Sequence, residues 1–111
     1  MTRIESFREL VETYTKHGWQ LRRVLMCAAT RAELAGAEEA TFAGAPVQES
    51  TVDALWFARA SHAGREAWEL RLVGATPYAL FETFEADEAE EDREEVRREM
   101  EARLREQFKR A

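Results

Sequence analysis

His17 and His62 are the only histidines of the chain, Cys27 is its only cysteine, and Ser61 directly precedes His62. Nucleophilic catalysis needs a hydroxyl or thiol and a base that meet in space, a geometry adjacent residues seldom provide. Two histidines also make a poor metal site, and each has a local explanation. His17 falls at the expected end of a helix, where its ring meets the negative end of the macrodipole, and His62 falls in a turn. Cys27, between Met26 and Ala28, reads as a small buried hydrophobe rather than a reactive thiol. Glu82 shares a strand phase with Leu80 and Phe84, so a half-buried carboxylate is expected there, at a strand end or paired with Arg71 or Arg59. The run Asp87-Glu88-Ala89-Glu90-Glu91-Asp92 is acidic enough for a cation but lacks the turn glycine of a calcium loop, and it reads as the solvated start of a helix. Phosphate loops, nucleophile elbows and dinucleotide fingerprints are missing. The sequence therefore assigns no catalytic, metal-binding or cofactor-binding residue and implies no cofactor.

What positions these residues is a chain of 111 amino acids, expected to form a single α+β domain over 1–111. An apolar content of 45% with eleven aromatics supports a packed core, while 34% charged residues and a negative mean hydropathy give a solvated exterior. No apolar run approaches the ~18 residues of a membrane span. Thr2-x-x-Glu5 is a capping box that opens a helix at once, leaving no basic-then-apolar leader, so a cytoplasmic location is expected. Of the net charge of −6, residues 85–111 hold eleven acids against seven bases. Without a dense basic cluster interleaved with aromatics, neither nucleic acid nor membrane is an expected partner.

The first helix runs from Thr2 to His17, with Ile4, Phe7, Leu10, Val11 and Tyr14 on one face and Gly18 as its stop. Trp19 to Ala28 reads as a strand whose alternation breaks at Arg22-Arg23; a bulge there would put Trp19, Leu21, Val24 and Met26 on one face. Residues 29–51 lack a regular period. Thr30-x-x-Glu33 suggests a short capped helix ending at Gly36, followed by an irregular connection anchored by Phe42. Val52 to Ala60, Ala67 to Val73 and Tyr78 to Phe84 then form an antiparallel meander. The last helix spans Glu85 to Ala111, acidic at its start and basic at its end, with Val96, Met100, Leu104 and Phe108 as a narrow apolar stripe.

These elements predict a four-stranded, mainly antiparallel sheet with the N- and C-terminal helices packed on one face. The strand Val52 to Ala60 is apolar in both phases, and a two- or four-residue hairpin loop after it would place Leu55 and Phe57 beside Leu72 and Leu70. A three- or five-residue loop would put Trp56 there instead. The shorter-register choice leaves Trp56, Glu69, Arg71 and Phe81 on an open face, an expected protein interface with Trp and Arg as its strongest contributors. The expected role is a non-catalytic protein-interaction module, self-associating as a dimer. The alternative is a small-ligand domain using a cleft between the sheet and residues 29–51, with a small enzyme third. In size, acidity and helix–strands–helix order the chain resembles small dimeric secretion chaperones, a likeness of architecture that carries over no residue and implies a protein-binding role.

Overall fold

A computed structural model describes residues 2–110, so Met1 and Ala111, the expected outer limits of the domain and of the last helix, lie outside the described residues. The Thr2 capping box forms as read: Glu5 N–H donates to Thr2 Oγ1 at 3.3 Å and Thr2 N–H donates to the Glu5 carboxylate at 3.2 Å. It opens α1 (Arg3–Lys16), which ends where Gly18 takes a φ of 88° that side chains disfavour. Next come β1 (Gln20–Met26), α2 (Ala28–Glu33), α3 (Glu38–Phe42), β2 (Val47–Glu49), β3 (Ala54–Ala60), β4 (Glu66–Leu72), β5 (Ala79–Phe84) and α4 (Glu90–Arg110). The fold is α+β, as expected.

The sheet has five strands in the order β2-β1-β3-β4-β5, not four, and it is mixed. β2 was hidden in the segment read as irregular. It pairs parallel to β1, Val24 opposite Val47 and Met26 opposite Glu49. Parallel neighbours need a crossover of a dozen or more residues, and α2 and α3 supply it. The segment from residue 29 to 51 is thus a compact crossover, anchored by Leu34 and by Phe42, whose ring meets Phe7 of α1 edge-on at 5.4 Å. Thr30 does not open a helix there. It sits three residues inside α2, whose N-cap is Cys27.

A second correction concerns the faces. The β1 bulge falls between Leu21 and Arg23 and puts Trp19, Leu21, Val24 and Met26 on one side, as the pattern required. Ala60 pairs with Glu66, so the β3–β4 connection has odd length and Trp56, not Leu55 or Phe57, stands opposite Leu70. Every residue of β3 therefore points to the side opposite the one expected, the result of a one-residue change in register. Leu55 and Phe57 pack with Phe7, Tyr14, Trp19, Leu34 and Phe42 under α1. Trp56 packs with Trp68, Leu70, Leu72, Phe84, Met100 and Leu104 under α4. The terminal helices cover opposite faces of the sheet because the central strand is apolar on both, and one layer of helix cannot enclose two apolar faces.

The α4 stripe holds for most of its length: Val96 is half-buried, Met100 and Leu104 are enclosed, and Phe108 emerges at 49% exposure past the edge of the sheet. Leu104→Ala is accordingly expected to cost about 2–5 kcal/mol, the range for an enclosed leucine. Phe108→Ala should stay within about 0.5 kcal/mol, as at an ordinary surface position. Urea unfolding of both variants checks this, and equal losses would show that the stripe is misassigned.

Candidate functional site

On the face covered by α1, the helix lies over β1 and β3 and leaves β4 and β5 partly open. Tyr14, on the buried side of α1, stacks on Phe57 with ring centres 4.1 Å apart and planes 9° from parallel. Its hydroxyl donates to the Glu69 carboxylate of β4. Burial first, then the Glu69 hydrogen bond and charge, push the Tyr14 phenol from 10.0 up to about 12, against the opposing pull of Arg71. Glu69 stands directly opposite Phe81 of β5. Phe81 is 58% exposed, the most exposed large hydrophobe among the described residues, and its ring meets the edge of Trp19 at 6.5 Å. Arg59 covers the other side of Trp19, 4.5 Å from the ring centre.

Of the four expected interface residues, the structure thus brings Glu69, Arg71 and Phe81 together and removes Trp56. Trp56 is fully buried beneath α4, and its indole N–H donates to Glu101 at 2.8 Å. It belongs to the core because the hairpin register turns it away from the strip. β5 is also an edge strand. Leu72 N–H donates to the Tyr78 carbonyl, which sets the phase: Tyr78, Leu80, Glu82 and Phe84 bond backward to β4, and Ala79, Phe81 and Thr83 turn their backbone groups outward. The outward N–H of Thr83 is taken by its neighbour, donating to Glu82 Oε1 at 3.1 Å. Glu82 is half-buried as expected, but this bond replaces the anticipated pairing with Arg71 or Arg59. Arg59 instead donates to the His17 carbonyl.

The remaining candidates have structural roles. His17 caps α1 with its Nδ1 2.8 Å from the Thr13 carbonyl, and His62 lies exposed in a 3₁₀ turn. Cys27 is partly buried; burial and then the nearby Asp53 charge raise its thiol above the ordinary value, which disfavours the reactive thiolate. Among the described residues, no group of three or more His, Cys, Asp and Glu is arranged to hold a metal ion.

Asp53 carries weight that the sequence did not disclose. Buried at the start of β3, it accepts from Cys27 N–H at 2.8 Å, from the Thr30 hydroxyl at 2.8 Å and from Arg3 at 2.9 Å. It caps α2 from across the chain and ties α1 to the same point, so three elements meet on one carboxylate.

A cleft lies between α1, the start of β1 and residues 41–46, with a volume of about 520 Å³. Val11, Leu21, Phe42 and Ala45 give it apolar walls, and Thr41 beside them has a buried hydroxyl without a partner. No known family, curated protein or solved structure matches this chain. The functional reading therefore rests on this geometry. No helix is long and apolar enough to cross a membrane among the described residues.

The raised Tyr14 value has a sign that can be checked. Between pH 10 and 12 the unfolded chain releases this proton while the folded one keeps it, so stability present below pH 10 is lost as pH rises through that window. Urea midpoints measured from pH 9 to 12 should fall, and Tyr14→Phe should flatten part of the decline. An identical decline in the variant would remove the Tyr14–Glu69 contact from the account.

Proposed function

We propose that the chain is a non-catalytic protein-interaction module that self-associates through β5 and the open strip beside α1. The observation that carries this reading is Phe81, a large aromatic left 58% exposed at the centre of an edge strand. An edge strand offers backbone donors and acceptors, here at Ala79 and Phe81, and an exposed apolar side chain adds the area that hydrogen bonds alone do not supply. Glu69 and Arg71 lie on the same face, two residues apart on β4, and flank the strip with one charge of each sign. A second copy of the chain, paired β5 to β5, is the occupant that uses both the free backbone groups and the exposed Phe81. Soluble, dimeric and cytoplasmic behaviour belongs to this proposal.

Phe81→Asp should give a folded monomer by sedimentation at a concentration where the parent is a dimer. The residue is exposed, so its far-UV spectrum should be unchanged. A parent that sediments as a monomer at high concentration would end the self-association claim.

One observation favours a second reading, a small-ligand domain using the cleft at residues 41–46: the unpartnered Thr41 hydroxyl beside apolar walls. Thr41→Val replaces the hydroxyl with a methyl group of similar size. If the hydroxyl is merely unsatisfied, the variant should be as stable as the parent or more so. If a ligand co-purifying with the parent is lost from Thr41→Val, detected by mass spectrometry of the denatured protein, the cleft is the site.

A further inference from the structure

On the opposite face, away from Phe81, three guanidinium groups converge on one indole. Arg97 of α4 lies 3.9 Å from the Trp68 ring centre, Arg22 at 5.1 Å and Arg23 at 5.8 Å. The β1 bulge makes this possible: the register shifts between Leu21 and Arg23, which brings two successive arginines over the same tryptophan instead of sending them to opposite faces. The four groups, with Glu66 and Glu90, line a small cavity of about 130 Å³. At ~30 Å³ per water, this is room for about four waters, or for one carboxylate or phosphate group.

The charges around the cavity do not balance. Arg23 pairs with Glu94 at 2.9 Å, Arg97 with Glu90 at 2.9 Å and Glu94 at 3.0 Å, and Arg93 with Glu66 at 3.0 Å. Hydrogen bonds from Arg97 hold the Glu90 carboxyl below its ordinary value, so it remains an anion. Within the lining of the cavity itself, three arginines meet two glutamates. Arg22 is the one left over, with no carboxylate partner among the described residues and its whole fork of donors unused. Arg97 is 2% exposed and its Nε–H is buried without a partner. An uncompensated arginine over an aromatic wall, in a chain of net charge −6, is a local site for negative charge.

We propose that this cavity binds a small oxyanion, a carboxylate or phosphate group, held by the Arg22 fork against Trp68 beside the ion-paired Arg23 and Arg97. One negative charge neutralises the excess, and the planar fork of Arg22 offers two parallel donors to it. The site lies under the first turns of α4 and is independent of the β5 surface, so either assignment can fail alone.

The test is a titration of the isotopically labelled protein with sodium phosphate, and separately with sodium acetate, at ionic strength held constant with sodium chloride. The Trp68 indole and arginine Nε signals are followed by NMR. Saturable shifts confined to these signals are expected, and the anion that binds tighter identifies the group as tetrahedral or planar. Arg22→Gln, at an exposed position, should keep the dispersed spectrum of the fold and weaken binding at least tenfold, while Arg22→Lys should fall between. Shifts that grow linearly and are matched by chloride, or a midpoint unchanged in Arg22→Gln, would overturn the proposal.

Discussion

The burial of β3 on both sides governs the rest of the molecule. Five consecutive residues from Ala54 to Ala58 are enclosed, with Leu55 and Phe57 on one face and Trp56 on the other. A strand of this kind has to occupy an interior position, with neighbours at both edges and cover on both faces. β1 and β4 flank it, α1 and the crossover helices close one side, and α4 closes the other. The two cores share only the thickness of the sheet.

The two sides are closed by different means. Under α1 the contact is aromatic, with Tyr14 flat on Phe57 and Phe7 edge-on to Phe42. α4 has a narrower apolar stripe, and it makes up the difference with charged side chains whose stems and planar heads cover aromatic surface. Arg97 lies on Trp68 and also approaches Phe84 at 5.1 Å, while Glu101 receives the Trp56 indole N–H. Burying an arginine is costly unless its donors are met, and Glu90 and Glu94 meet most of them from the preceding turns of the same helix. The acidic start of α4 therefore anchors the buried cation as well as complementing the helix dipole.

The elements with strong periodicity were legible in the sequence: α1 with its capping box, the three meander strands, the Arg22-Arg23 bulge and the α4 stripe up to Leu104. What escaped was long-range. β2 is three residues long, too short to show an alternation, and its partner is set by the crossover rather than by its own pattern. The hairpin register depended on whether a loop held an odd or even number of residues, and a single residue decided which face received Trp56. That one step also split the expected site, leaving Glu69, Arg71 and Phe81 together and Trp56 in the core. Nothing local to Asp53 in the sequence announces Arg3, Cys27 and Thr30 as its partners. The arginine cluster over Trp68 was visible only as the bulge that builds it.

The two edges of the sheet differ from a long, flat, open edge in ways that bear on how far assembly could proceed. One edge is the three-residue β2, flanked by the crossover. The other is β5, where the Glu82 carboxylate occupies the outward N–H of Thr83 and leaves only a short run at Ala79 and Phe81 available. In a pair joined β5 to β5 both β5 edges would be consumed, and the outer edges would be two copies of the three-residue β2. Such a pair would offer no long edge from which to extend, the property that separates a finite particle from a fibre.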